Sequence, residues 1–375
     1  MTKPSKRVVR WREIRVTRPY NFSAGPSMLP AAVLQQARDE ILDWQGSLMS
    51  VMEVSHRSAP YQSLAQKAEA DLRQLLSVPS EYQVLFLQGG ATGQFAAIPM
   101  NLLRKRTKVA YVNTGIWSQK AMAEAQHFAE VVEVASGASS GFCHIPAEQD
   151  WHRDEGSAYL HYTSNETIGG VEFHSIPDSL GIPLVSDMSS DLLSRPLDVS
   201  RFGLIYAGAQ KNMGPAGVTV VIVREDLLGS AIRETPSILN YSLQAAEKSM
   251  LNTPPTYAWY LLGLVLEWLI QQGGLEAIAE VNQEKAETLY RAIDDSSFFH
   301  NPVVPSCRSQ MNIPFAITPP GLESSFLLEA KKVGLVNLEG HRSVGGFRAS
   351  IYNAMPLSGV KALVDFMVDF ERRYG

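Results

Sequence analysis

The residues best placed for chemistry lie in Gly208-Ala209-Gln210-Lys211-Asn212-Met213-Gly214-Pro215-Ala216-Gly217, between two apolar runs. A lysine at a strand end, fenced by small residues, projects into a cleft that a ligand can approach closely. Buried lysine loses its proton readily, which suits imine chemistry, whereas an arbitrary loop lysine is merely solvated. Twenty-four residues earlier, Ile182-Pro183-Leu184-Val185-Ser186 ends in Asp187. An acid at the carboxyl end of a buried strand points into the crevice where α/β proteins bind ligands. The same acid could instead cap a helix beginning at Met188-Ser189-Ser190. Together the pair matches what pyridoxal phosphate requires: a lysine for the imine and an acid that keeps the pyridine nitrogen protonated.

Two further segments fit the same ligand. The run Val84–Leu87 leads into Gln88-Gly89-Gly90-Ala91-Thr92-Gly93-Gln94 and then a helical stretch. Such a glycine-rich turn presents free backbone N–H groups to a phosphate, or is an ordinary tight turn. It matches neither the Walker lysine pattern nor the full dinucleotide pattern. Thr114-Gly115-Ile116-Trp117 follows the run Val109–Val112. Its tryptophan either stacks on a flat ring or joins the core.

The elements that must position these groups alternate along the chain. Val84–Leu87, Val109–Val112, Val131–Val134, Ala158–Tyr162, Pro183–Val185, Leu204–Ala207 and Val218–Val223 read as strands. Most lack polar alternation, so they are expected to be buried on both faces. Helix-period segments lie between them, as in Tyr61–Leu76 and Trp117–Phe128, which is the α/β pattern. Pro254-Pro255 is expected to open a long helix from within its first turn. Gln271–Gly274 interrupts that helix and marks a domain boundary. Beyond it, the strands Met311–Ile317 and Phe347–Tyr352 and the helices Leu322–Val333 and Gly359–Glu371 describe a smaller α+β unit.

These motifs resemble the phosphoserine aminotransferases, a class V family of pyridoxal-phosphate enzymes of fold type I. The resemblance runs from about Tyr20 to the C-terminus. It rests on Asn21-Phe22-Ser23-Ala24-Gly25-Pro26, Ser55-His56-Arg57, Asn165-Glu166-Thr167, Gly208 to Gly217, Asn252-Thr253-Pro254-Pro255-Thr256, Gly340-His341-Arg342 and Arg348-Ala349-Ser350-Ile351-Tyr352-Asn353. It implies a large cofactor-binding domain with a mostly parallel mixed sheet between helices and a small C-terminal domain, which the break at Gln271–Gly274 sets at 20–274 and 275–375; the basic extension at 1–19 has no counterpart in the usual family pattern. Lys211 would be the imine lysine and proton shuttle, and Asp187 the partner of the pyridine nitrogen. Trp117 would cover the ring and Thr167 would bond near its phenolic oxygen. Ala91, Thr92 and Gln210 would hold the phosphate, joined by Asn252 and Thr253 from the other subunit of a homodimer.

The implied reaction passes the amino group of L-glutamate to 3-phosphohydroxypyruvate, giving O-phospho-L-serine and 2-oxoglutarate in serine biosynthesis. In bacteria the family often serves pyridoxine synthesis as well, which the sequence leaves open. Arg348 matches the arginine that forks onto the substrate carboxylate. His56 and Arg57 of one subunit, with His341 and Arg342 of the other, would meet the distal anion; each pair read alone is surface charge. Some relatives carry an arginine in the phosphate turn where this chain has Thr92. A small-substrate class V aminotransferase, such as an alanine–glyoxylate type, and a non-enzymatic binder of the same fold are the alternatives.

Composition agrees. The 375 residues carry a formal net charge of −5, with no global pull on nucleic acid or an anionic membrane. A hydrophobic fraction of 45% and a charged fraction of 19% are ordinary for a globular chain and exclude a wholly disordered one. Two cysteines, Cys143 and Cys307, exclude a disulfide scaffold or a zinc site built on several thiolates, and suit the cytoplasm. No metal cluster is expected. Met1–Pro19 holds seven basic residues against one acid, Glu13. It reads as a solvated basic arm or an upstream start, or as an organelle transit peptide that lacks the usual serines.

Overall fold

The computed structural model describes residues 18–152, 154–179, 181–318 and 320–375. Most of the basic arm expected at 1–19 therefore lies outside the described residues. All seven expected strands form and make one sheet. Its order is Tyr82–Leu87, Thr219–Arg224, Leu204–Gly208, Leu184–Asp187, Leu160–Thr163, Lys108–Asn113, Glu130–Ser136. Thr219–Arg224 runs antiparallel to both its neighbours and every other pairing is parallel.

Successive residues of each strand feed opposite cores, as the pleat requires. Val84, Phe86, Ala110, Val112, Ile205 and Ala207 face a core shared with the helices Ala59–Leu76 and Thr256–Gln271. Leu85, Leu87, Val109, Tyr111, Leu204 and Tyr206 face a second core under Gly90–Leu102 and Ile116–Ala125. Helices on both faces explain why the inner strands are continuous apolar runs. Glu130–Ser136 departs from that rule. It lies at one edge of the sheet and most of its residues are half-buried or exposed, whereas Tyr82–Leu87 at the other edge is almost wholly buried.

Register brings the chemistry to one end of this sheet. Leu87 pairs with Thr219, and Thr219 with Gly208. Thr163 pairs with Asp187, and Asp187 with Tyr206. The glycine-rich turn after Leu87, Asp187 and the lysine segment after Gly208 thus share the carboxyl edge of the parallel strands.

The long apolar helix begins at Thr256, with Pro255 as its N-cap residue, so both prolines precede the first turn rather than sitting within it. It stops at Gln271, and Gly274–Asp294 departs at 84°. Gly273 (φ 100°) and Gly274 (φ 80°) make the break, in a backbone region that suits glycine. The second helix is itself divided: Leu275 and Ile278 join the first core, Ala286, Leu289 and Ile293 a third.

That third core sits between the antiparallel strands Phe299–His300, Asn312–Ile317 and Phe347–Ser350 and the helices Glu323–Lys332 and Leu357–Tyr374. It also takes in Phe22. Tyr20–Asn21 forms a parallel pair with Leu335–Val336, so the start of the described chain is strapped to the C-terminal unit. No single helix among the described residues is long and apolar enough to cross a membrane.

Candidate active site

A cavity opens at the carboxyl edge of the sheet. Its walls include Ala91, Thr92, Trp117, Thr167, Asp187, Gln210 and Lys211. The structure therefore brings seven of the expected site residues together. Lys211 is only 8% exposed, and its Nζ donates to Thr167 Oγ1 at 2.7 Å. Burial pulls its pKa from the ordinary 10.5 down to about 8, against the attraction of Asp187. Asp187 is 4% exposed; burial raises its pKa, while hydrogen bonds from Ser189 and the charge of Lys211 oppose the rise. Its Oδ1 accepts from Ser189 N at 2.9 Å. A turn follows rather than a helix, so Asp187 is not a helix cap.

The glycine-rich turn enters Gly90–Leu102 through Gly89 (φ 95°), and no side chain among the described residues caps that helix. Its first N–H groups need an acceptor. Trp117 is the second residue of Ile116–Ala125. Its ring centroid lies 5.5 Å from Lys211 Nζ, and its buried Nε1 finds no hydrogen-bond partner among the described residues.

These groups fit pyridoxal phosphate. A primary amine held partly neutral, a buried carboxylate, an uncapped helix start and an indole with an orphaned buried N–H surround one cavity. A flat ring with a phosphate tail asks for that set.

The other expected residues stand apart. Arg348 lies on Phe347–Ser350, half-buried, with an Nε that has no partner among the described residues. Burial lowers its pKa. It is near enough to Lys211 to disfavour that residue's charge. His341 is half-buried and Arg342 exposed, and burial followed by the positive charges of Arg348, Arg342 and Lys120 lowers the His341 pKa. His56 is half-buried with an orphaned Nε2, and Arg57 is exposed. Asn252 and Thr253 are exposed and do not line the cavity of their own chain.

Several residues around the site escaped the sequence reading. Lys120 places its Nζ 4.4 Å from the Trp117 ring centroid, a helical i, i+3 neighbour that spacing alone could have flagged. Ser27 donates through Oγ to Lys211 O at 2.6 Å and through its N–H to Gln210 O at 2.9 Å. That is what the Asn21–Pro26 opening delivers: a strap beneath the lysine. Asn353 donates its N–H to Asn212 Oδ1 at 3.1 Å and its side chain to Leu193 O at 2.8 Å. Asn282 donates in turn to Asn353 Oδ1 at 2.8 Å. Lys285, fully buried, donates to Ile351 O at 2.9 Å, Tyr352 O at 2.8 Å and Met355 O at 3.1 Å. This polar joint ties the residue after Lys211 to the segment after Arg348. Helical spacing puts Lys285 on the same stripe as Leu275, Ile278, Asn282, Leu289 and Ile293, and only its charge argues for exposure.

The aminotransferase class-V family profile matches residues 19–363. The phosphoserine aminotransferase of Acinetobacter baylyi is 58% identical over 359 residues, covering 96% of this chain and all of that one. The structure of phosphoserine aminotransferase from Bacillus circulans subsp. alkalophilus superposes with a TM-score of 0.94 at 47% identity, covering 96% of this chain and 100% of its own. Pyridoxal-phosphate-bound phosphoserine aminotransferase from Trichomonas vaginalis gives 0.90 at 41% identity, with 94% and 100% covered. On a cavity built around Lys211 and Asp187, and on likeness that runs nearly end to end, the chain belongs to the phosphoserine aminotransferase family of class-V, pyridoxal-phosphate-dependent transaminases.

Proposed function

We infer that the protein moves the amino group of L-glutamate to 3-phosphohydroxypyruvate, giving O-phospho-L-serine and 2-oxoglutarate. The carrying observation is Lys211 and Asp187, both buried, on one cavity beside an uncapped helix start. Pyridoxal phosphate, when bound, supplies the electron sink that makes the Cα–H of an amino acid acidic. The chain does the rest. Asp187 keeps a proton on the pyridine nitrogen, the backbone at Ala91 and Thr92 with Gln210 holds the phosphate, Trp117 covers one ring face, and Thr167 bonds near the phenolic oxygen. Lys211, with a pKa near 8, holds an amine that is partly neutral at working pH and can move a proton at Cα.

Arg348 forks onto the α-carboxylate. His341 and Arg342 meet the distal carboxylate or phosphate, which a small neutral side chain would not need; this favours the phosphorylated substrate over an alanine–glyoxylate type. We assign Asn252, Thr253, His56 and Arg57 to the cavity of a second copy in a homodimer. Arg57, Asn252 and Thr253 are exposed and none of the four lines the cavity of its own chain, which supports this. We place the cofactor domain at 20–274 and the smaller domain at 275–375, and the enzyme in the cytoplasm.

Purified protein should absorb in the visible, and borohydride should bleach it. It should form phosphoserine from glutamate and 3-phosphohydroxypyruvate. Colourless protein that cannot be coloured by added pyridoxal phosphate overturns the reading.

A further inference from the structure

Nothing in the local sequence accepts from the first free N–H groups of the helix that carries Trp117. The N-cap residue is Gly115, which has no side chain to accept an N–H. The acceptor comes from far along the chain. Glu166 Oε2 accepts from Trp117 N at 3.0 Å, and Glu166 Oε1 accepts from Ser118 N at 2.9 Å and Ser118 Oγ at 2.9 Å. Ser118 Oγ in turn accepts from Thr114 N at 3.0 Å and Gly115 N at 2.9 Å. Glu166 is 0% exposed.

Gly115 is shaped to this arrangement. Its backbone is extended (φ 163°), a conformation open to any residue, so its freedom to turn is not the point. A Cβ there would lie 2.7 Å from Glu166 Cδ and 2.9 Å from Oε2, inside contact distance. The missing side chain leaves the space that the carboxylate fills. The residue after Glu166 is Thr167, which accepts from Lys211 Nζ. Two consecutive residues thus hold opposite sides of one cavity: Thr167 the lysine, Glu166 the backbone of the tryptophan.

We propose that Glu166 is the positioning residue for the ring-covering indole, a helix cap supplied in trans whose output is the placement of Trp117 against the cofactor. The inference rests on Trp117 being the ring-facing residue. A carboxylate serves two backbone donors here, shares the Ser118 hydroxyl with Gly115 O, and sits at the positive end of a helix dipole. Glutamine keeps one acceptor oxygen and turns an NH₂ toward a backbone N–H, leaving a donor unmet.

The test is release of pyridoxal phosphate from diluted full-length holoenzyme, followed by visible absorbance and by the circular dichroism of the bound cofactor. Glu166→Gln should weaken retention about tenfold, the worth of one charge-assisted hydrogen bond. Gly115→Ala, which displaces the carboxylate without changing charge, should do the same. The cofactor's dichroism should fall in both. In a double-mutant cycle, Glu166→Gln added to Trp117→Ala should cause no further loss, because its effect passes through the indole. Additive losses overturn the proposal, as does wild-type retention in Glu166→Gln. So does failure of Glu166→Gln to fold while Trp117→Ala folds, since Glu166 would then serve the fold alone. Wild-type retention in Trp117→Ala removes the ring-facing assignment and this inference with it; the borohydride test of the transaminase reading is independent of that outcome.

Discussion

Arg348 and Arg342 offer the sharpest separation of roles. Both are assigned to substrate, but the chain places them differently. Arg348 is half-buried, with an Nε that no described residue satisfies, whereas Arg342 is exposed to water. A carboxylate reaching Arg348 gains two charge-assisted bonds in a partly desolvated setting, together about 3–4 kcal/mol. Arg348→Ala should therefore cut kcat/KM roughly 150- to 900-fold, and on every substrate, because all share the α-carboxylate. Arg342 works against solvent screening, and its contact is worth about 1.5 kcal/mol, or roughly tenfold. That loss should appear with 3-phosphohydroxypyruvate and glutamate and be absent with alanine, which has no distal anion. The assay is steady-state kcat/KM for the three substrates in wild type and both variants. Equal loss on all three in Arg342→Ala would refute the distal role and bring the small-substrate reading forward. Arg348→Lys tests the fork: charge without bidentate geometry should recover only part of the loss.

Lys211→Ala should abolish single-turnover amino transfer while the phosphate cradle still retains cofactor; turnover within tenfold of wild type would sink the assignment. Asp187→Asn should keep cofactor and lose most of kcat, since an amide cannot hold the pyridine nitrogen protonated; an unchanged kcat would mean that Asp187 only fixes the turn at Ser189. For apoprotein, a lysine with a folded pKa near 8 and an unfolded value near 10.5 leaves the unfolded chain binding more protons between those values, so stability rises with pH there. From pH 8 to 9.5 that rise is about 1.5 kcal/mol in urea unfolding, and Lys211→Met should remove it. Lys285→Met should lower the thermal midpoint by several degrees by stranding three buried carbonyls; an unchanged midpoint would show that the joint contributes nothing.

The strands were legible because a sheet covered on both faces writes itself as apolar runs, and Gly89 and Gly90 announce the turn that opens the phosphate helix. Lys211, Asp187 and Trp117 could be found because each ends or follows such a run. What stayed hidden depends on partners distant in sequence. Glu166 caps a helix that begins some fifty residues earlier, and its own two-residue strand carries no periodicity. Tyr20–Asn21 is too short to read as a strand until Leu335–Val336 is beside it. Lys285 breaks the expectation that lysine on an amphipathic helix is solvated, because carbonyls of a later segment converge on it.

The strap at Tyr20–Asn21 also sets an order of events during synthesis. Its pairing partners, Leu335–Val336, leave the ribosome long after Gln210 and Lys211, whose carbonyls Ser27 holds. At about 5–20 residues per second, the interval between the two paired strands is roughly 15–60 s. The sheet edge that bears Asp187 and Lys211 can form well before then, whereas the pairing of Tyr20–Asn21 waits for Leu335–Val336. The earliest described residues are thus among the last to find their place. Two residues of exposed strand are a small hazard for that wait, since so short an edge offers a stray chain little to pair with.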